Sequence, residues 1–280
     1  MPPRKPSAEI MLAVDVGNTQ TVIGVLEGET VLDLFRVTSG VPRTGDELFP
    51  IVERLVAPWH ASLRASGIAV VGSVVPALTA GWETLLKRLL GRSPYLALPV
   101  GPYGLKIKVR DPAAVGVDRI ANAVAAATFH RLPAIVVDLG TATTFDVVSP
   151  GPCYLGGAIA PGVLTSADEL FRRAARLAKV ELRRPARAVG RSTEESIQSG
   201  VYFGAVAQID GLVRRLCREV GGKVFVLATG GLAETMAADS QTIDRVEPAL
   251  TLQGLRLMEE RARVARRRRG SSLPGGKRHA

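Results

Sequence analysis

The sequence predicts an α/β fold built from two related halves. Apolar runs of strand length alternate with segments of helical apolar spacing, which is the pattern of layered α/β proteins. The stretch Asp15-Val16-Gly17-Asn18-Thr19-Gln20-Thr21 is echoed by Asp138-Leu139-Gly140-Thr141-Ala142-Thr143-Thr144, the two agreeing at the Asp, the Gly and the final Thr. An Ala-rich helical stretch, Arg119 to Phe129, lies between the copies and links the halves. A repeat at this distance predicts two α/β domains facing each other across a cleft.

In the first half, Met11 to Leu26 reads as strand, polar turn, strand: an apolar run into Asp15, the turn Gly17-Asn18-Thr19, then Val22, Ile23 and Val25. Gly28-Glu29 supplies a hairpin turn into a third strand, Val31 to Thr38. Leu48, Ile51, Val52 and Leu55 recur at helical spacing and predict an amphipathic helix from Asp46 to Leu55. Ile68 to Val75 is an apolar strand stopped by Pro76, followed by a helix through Leu78 to Leu90. In the second half, Ala134 to Val137 runs into Asp138 and Phe145 to Val148 returns. A helix near Ser192 to Cys217, a strand at Val224 to Ala228 and a final helix near Leu250 to Val264 follow, while Gly156 to Gly162 reads as a loop or a turn.

Composition narrows the class. With 280 residues, 46% of them apolar and 22% charged, the chain can bury a core without disulfides or a structural metal. Cys153 and Cys217 are too few and too widely spaced for a disulfide framework or a zinc site, and read as reduced thiols. The opening nine residues are polar and proline-rich, and no apolar run reaches the length of a signal core or a membrane span. These features predict a soluble, cytoplasmic protein with no membrane partner. The net charge of +10 is concentrated at one end: residues 261–280 hold eight basic residues and no acid, and without them the remainder carries only +2. A like-charged run leading into Gly, Ser and Pro predicts a solvated tail, with nonspecific nucleic-acid binding as the weaker alternative.

The two Asp-Gly turns carry the parts of a phosphate site. Converging backbone N–H groups favour Gly where a side chain would crowd an anion, hydroxyls add donors, and a carboxylate can hold Mg²⁺ against phosphate oxygens. One such loop could equally be a hairpin turn capped by Asn or Thr; two at matching points of a repeat favour phosphate. Neither a Gly-x-x-x-x-Gly-Lys-Ser/Thr loop nor a Gly-x-Gly-x-x-Gly turn after a strand is present, which argues against P-loop and dinucleotide folds.

Taken in order, these motifs resemble the type III pantothenate kinases. Asp15-Val-Gly-Asn-Thr is similar to the family's first phosphate motif, Asp138-Leu-Gly-Thr-Ala-Thr to its second, and Gly116-Val117-Asp118-Arg119 with Asn122 to its Gly-x-Asp-Arg substrate motif. Ser73-Val74-Val75-Pro76, Gly156 to Gly162, Gly190-Arg191-Ser192-Thr193 and Thr229-Gly230-Gly231 fall in the same order, so the resemblance spans roughly residues 11 to 260. It implies a duplicated ribonuclease-H-like, or actin-like ATPase, fold with mixed sheets flanked by helices. It also implies a homodimer that uses ATP to convert pantothenate to 4′-phosphopantothenate, the first step toward coenzyme A.

Residue by residue, the resemblance implies that Asp118 is the general base on the pantothenate hydroxyl, although an Asp there could also be the N-cap of the Ala-rich helix. Gly116, Val117, Asp118, Arg119 and Thr193 would bind pantothenate. Asp15, Val16, Gly17, Asn18, Thr19, Gln20, Thr21 and Val22 would cradle the ATP phosphates, with Asp15 near Mg²⁺ and Thr141 also on ATP. Asp138 would ligate a monovalent cation, K⁺ or NH₄⁺, and Gly230-Gly231 would allow close approach of the adenosine or simply turn the strand into a helix. Ser192 and Glu195 match a capping box, leaving Thr193 to the ligand. The family's tyrosine three residues before Pro112 is Val109 here, which removes a ring and a hydroxyl near the substrate. The resemblance thus covers the nucleotide site more fully than the pantothenate site.

The expected domain layout is a disordered segment at 1–9, an N-terminal domain at 10–118, the linking helix and C-terminal domain at 119–262, and a disordered basic tail at 263–280. Two alternative functions keep the same scaffold. One is a regulatory protein, since some relatives resemble the accessory factor of a bacterial virulence regulator; the other is a kinase for a different small hydroxyl compound.

Overall fold

The computed structural model describes residues 9–40, 43–173 and 180–271. They form two compact units. The first holds the chain up to Leu105 together with Ala113–Val124 and the chain from Leu252 onward, and the second holds Lys106–Pro112 and Ala125–Thr251.

The first unit opens with β1 (Ile10–Val16), β2 (Gln20–Glu27) and β3 (Thr30–Thr38), then α1 (Gly45–Leu55), α2 (His60–Ser66), β4 (Ala69–Ser73), α3 (Pro76–Leu90) and β5 (Tyr95–Leu96). Its sheet runs β3-β2-β1-β4-β5, with β1 antiparallel to β2 and parallel to β4. β1 and β4 are apolar and buried up to Asp15 and Ser73, as strands covered on both faces must be, and Leu12, Val14, Val16 and Val71 join Trp82, Leu85, Leu86 and Leu89 of α3 in one core. Thr44 and Glu47 close a capping box at the start of α1: Glu47 N–H donates to the Thr44 hydroxyl at 3.3 Å, and Thr44 N–H donates to the Glu47 carboxylate at 2.7 Å.

Next come β6 (Lys106–Ile107) and α4 (Val117–Phe129), the helix whose residues divide between the units after Val124. The second unit continues with β7 (Ala134–Leu139), β8 (Ala142–Ser149), β9 (Cys153–Pro161), α5 (Val163–Arg173), α6 (Thr193–Val220), β10 (Phe225–Thr229), α7 (Ala233–Ala237) and β11 (Arg245–Val246). Its sheet runs β11-β10-β7-β8-β9-β6. Read from β9 to β11, that order repeats the β3-β2-β1-β4-β5 arrangement, with β6 added outside β9. The duplication expected from the motifs is therefore a duplication of topology, in the ribonuclease-H-like order. The second core gathers Ile135, Val137 and Phe145 from the sheet with Tyr202, Val206, Ile209 and Val213 of α6.

Strand register refines the motif comparison. Asp15 pairs with Val22, seven residues on, whereas Asp138 pairs with Thr144, six residues on. The first turn is one residue longer, so the counterpart of Thr21, which pairs with Val16, is Thr143, which pairs with Leu139. Thr21 and Thr143 are both 1% exposed, as equivalent inward positions should be.

Three expectations are corrected. The segment Gly156 to Gly162, read as a loop or turn, lies mostly in β9, where Gly156 to Pro161 pair with β8; β6 pairs only with Cys153 and Tyr154 at the start of that strand. Its Gly and Pro content masks the strand signal. The final helix, α8 (Leu250–Ser271), runs well past Val264, so a disordered tail does not begin at 263; residues 272–280 and 1–8 lie outside the described residues. Arginine is a good helix former, and cations in the last turns suit the C-terminal end of the helix dipole. The unit boundaries also differ from 118 and 262: Leu252 and Leu255 of α8 pack over Gly24 and Gly72 and return the chain to the first sheet. Arg261 donates to the Tyr103 carbonyl, Arg263 pairs with Glu9 at 2.5 Å, and the Arg266 guanidinium stands 5.1 Å from the Tyr95 ring centre. Contacts like these were invisible in a run read only as charge.

Candidate active site

In the first unit the turn after β1 is held by its backbone. Gly17 N–H donates to the Gln20 carbonyl at 3.1 Å, and Ser39 N–H donates to the Thr19 carbonyl at 2.9 Å. The Thr21 and Ser39 hydroxyls share a 2.7 Å hydrogen bond in the interior. Asn18, Thr19 and Gln20 are exposed, Asp15, Gly17 and Val22 are half-buried, and Val16 and Thr21 are buried. Val16 and Thr21 thus turn their side chains into the core and brace the turn, while Asn18 to Gln20 stand open to an anion.

The Asp118 turn reaches the same edge of that unit. Val74 N–H donates to the Val16 carbonyl at 3.1 Å. A Cβ built on Gly116 would lie 3.6 Å from Cγ1 of Val74 and would collide with Oδ1 of Asp118. Gly116 therefore makes room for the carboxylate while its own carbonyl accepts the Ile120 N–H at 3.3 Å, opening α4. Asp118 is the second residue of that helix rather than its N-cap, and it accepts the Arg119 N–H at 2.8 Å. Burial pushes the Asp118 carboxyl above the usual carboxylate range; the Arg119 N–H and the Arg119 charge oppose the rise without cancelling it. Arg119 follows, half-buried, in the first turn of α4.

The second unit assembles the other loop. Asp138 is half-buried near the end of β7, and Gly140 N–H donates to the Ala142 carbonyl at 3.1 Å, which leaves Thr141 exposed at the tip. Gly230, at φ 93°, closes on it from β10: a Cβ there would fall 2.7 Å from Oδ1 of Asp138 and 2.7 Å from the Leu139 backbone. The start of α5 closes on the loop through Gly162 and Thr165, whose hydroxyl donates to the Thr141 carbonyl at 2.7 Å.

Thr193 opens α6 and is exposed. It borders a cavity of about 530 Å³ whose walls include Pro161, Val163, Ser166, Leu170 and Ile197. Ser192 is the N-cap, its hydroxyl accepting the Glu195 N–H at 3.1 Å, while the Glu195 carboxylate accepts from Arg191 N–H at 2.6 Å. The capping box is thus half formed, and the cap leaves the Thr193 side chain unused. Val109 lies against Gly156, where a Cβ would meet its Cγ1 at 3.4 Å.

This ordered set of loops has a match. The family model described as type III pantothenate kinase fits residues 11–215. The chain belongs to the type III pantothenate kinase family. Curated members include the enzyme of Moorella thermoacetica, 43% identical over 90% of this chain and 99% of its own, and that of Anaeromyxobacter sp., 44% identical over 91% and 100%. Among solved structures, a conserved putative Baf family transcriptional activator from Campylobacter jejuni superposes with a TM-score of 0.54 at 19% identity, covering 89% of this chain and 97% of its own. That likeness concerns the fold alone.

Two parts of this pantothenate kinase gain meaning from the structure that the motifs did not give them. Val74 ties the turn after β1 to Gly116, and Gly162 lies against the Thr141 turn; only tertiary contact shows what each touches. No helix among the described residues is long and apolar enough to cross a membrane, and Cys153 and Cys217 are free thiols. Among the described residues no group of three or more His, Cys, Asp or Glu could hold a metal ion on side chains alone. Single carboxylates at Asp15 and Asp138 fit cations that draw their remaining ligands from phosphate oxygens, backbone carbonyls and water, the habit of Mg²⁺ at nucleotide sites.

Proposed function

We propose that this type III pantothenate kinase phosphorylates pantothenate with Asp118 as general base and with ATP bound by Asp15 to Val22 and by Thr141. The observation that supports it most is the run of contacts in the first unit: Val16 carbonyl to Val74 N–H, Val74 to Gly116, and Gly116 to the Asp118 carboxylate. It ties the open turn Asn18 to Gln20 to a carboxylate that burial has made more basic than an ordinary aspartate.

In the reaction Asp118 takes the proton of the pantothenate hydroxyl as its oxygen attacks the γ-phosphorus. The bond to the β-phosphate oxygen breaks, giving 4′-phosphopantothenate and ADP. Little covalent work falls to the protein, so backbone amides and hydroxyls around the phosphates act by positioning and by stabilising charge. Arg119 and Thr193, with the Gly116-Val117 backbone, hold pantothenate. Mg²⁺ near Asp15 would supply charge neutralisation at the phosphate oxygens. Asp138 would hold K⁺ or NH₄⁺. The family resemblance is what supports this cation, a cytoplasmic location and a homodimer.

A polyanion-binding role loses support from α8, because Arg261, Arg263 and Arg266 already engage their own unit. Val109 keeps open a related hydroxyl compound as substrate. The test is ATP consumption against a panel of small hydroxyl compounds, with and without K⁺. The proposal expects pantothenate to have the highest kcat/KM and turnover to rise with K⁺. A different preferred acceptor would replace pantothenate, and indifference to K⁺ would remove the cation from Asp138.

A further inference from the structure

We infer that Thr165 is a positioning residue for the nucleotide, acting through Thr141; the inference rests on the assignment of Thr141 to ATP. The Thr165 hydroxyl donates to the Thr141 carbonyl at 2.7 Å, across 24 residues of sequence and from a different element. The turn it grips is short: Gly140 and Thr141 join β7 to β8, and Gly140 N–H donates to the Ala142 carbonyl.

Gly162 adds a second contact on the same carbonyls. A Cβ there would lie 2.6 Å from the Gly140 oxygen and closer still to the Thr141 oxygen, so only glycine lets the start of α5 come this near. Gly162 also accepts the Ser166 N–H at 2.8 Å, which fixes Thr165 in the first turn of the helix. One short segment therefore fixes the direction of the Thr141 carbonyl. Rotation of that peptide unit would swing the Thr141 side chain as well, because the turn has too few residues to absorb the change elsewhere. Thr165 thus sets the orientation of Thr141, the residue assigned to ATP, without touching substrate.

The chemistry predicts a selective defect. Thr165→Val keeps shape and removes the donor, while Thr165→Ser restores it. Losing one neutral hydrogen bond of this kind corresponds to roughly a 5- to 10-fold change in an equilibrium. Steady-state kinetics of Thr165→Val should show KM for ATP raised by about that factor, with KM for pantothenate and kcat within about two-fold of the parent. Thr165→Ser should return KM for ATP to near the parent value. Because Thr165 is exposed at the start of a helix, Thr165→Val should lower Tm only by what one lost hydrogen bond costs, and Thr165→Ser should keep the parent Tm. An unchanged KM for ATP in Thr165→Val, or equal rises for both substrates, would overturn the inference. Thr141→Val, measured alongside, separates the two layers. A raised KM for ATP there with none in Thr165→Val sinks the positioning role alone. No effect in Thr141→Val removes the ATP assignment beneath it.

Discussion

The backbone of Gly230 lies so close to the carboxylate of Asp138 that a Cβ would fall 2.7 Å from Oδ1, at a φ of 93° that side chains rarely adopt. The Gly-Gly after β10 and the Asp at the end of β7 are therefore parts of one loop cluster, although 92 residues separate them in sequence. Replacing Gly230 with Ala imposes the left-handed penalty of about 1–2 kcal/mol and a clash in addition. The expected result is a Tm lower by roughly 4 °C or more, together with weaker dependence of activity on K⁺. Thermal melts and a K⁺ titration of turnover check both; a variant that melts like the parent would contradict the close approach.

Adjacent residues at the start of α6 should separate cleanly. Ser192 caps the helix, and Ser192→Ala should cost about 1 kcal/mol of stability with KM values unchanged. Thr193 is exposed on the cavity between α5 and α6, and Thr193→Val should leave Tm alone but raise KM for pantothenate several-fold. Melting curves and kinetics on the two variants read this directly, and the opposite pattern would exchange the roles.

The pH profile follows from burial of Asp118. The base must be ionised, and its folded-state pKa is raised, so the ionised form is lost at a higher pH than for an ordinary aspartate. Activity should therefore fall on the acid side with a limb displaced above the usual aspartate range of about 4. The kcat/KM for pantothenate against pH shows it. A limb at or below that range would deny Asp118 its raised basicity.

Much of this is legible in the sequence. Asp15 and Asp138 lie on strands with apolar runs leading into them, and the hairpins that follow both were readable from alternation and turn residues. Thr21 and Thr143 were not recognisable as equivalents, because sequence alignment cannot see that one turn carries an extra residue until the register is known. Strand β9 hid behind its glycines and proline, and the role of Gly162 rests on a contact with Thr141 that no local pattern encodes. The arginine run of α8 looks solvated in the sequence because its partners, Tyr103, Glu9 and Tyr95, lie more than 150 residues away. Long-range contact, not local propensity, decided each miss.

Asp118→Asn tests the centre of the account. It keeps the size of the side chain and can still accept the Arg119 N–H, so the variant should fold with the parent Tm and bind ATP as tightly. Turnover of pantothenate should fall about 10²-fold or more once the proton acceptor is gone. Turnover within a few-fold of the parent would contradict Asp118 as the base.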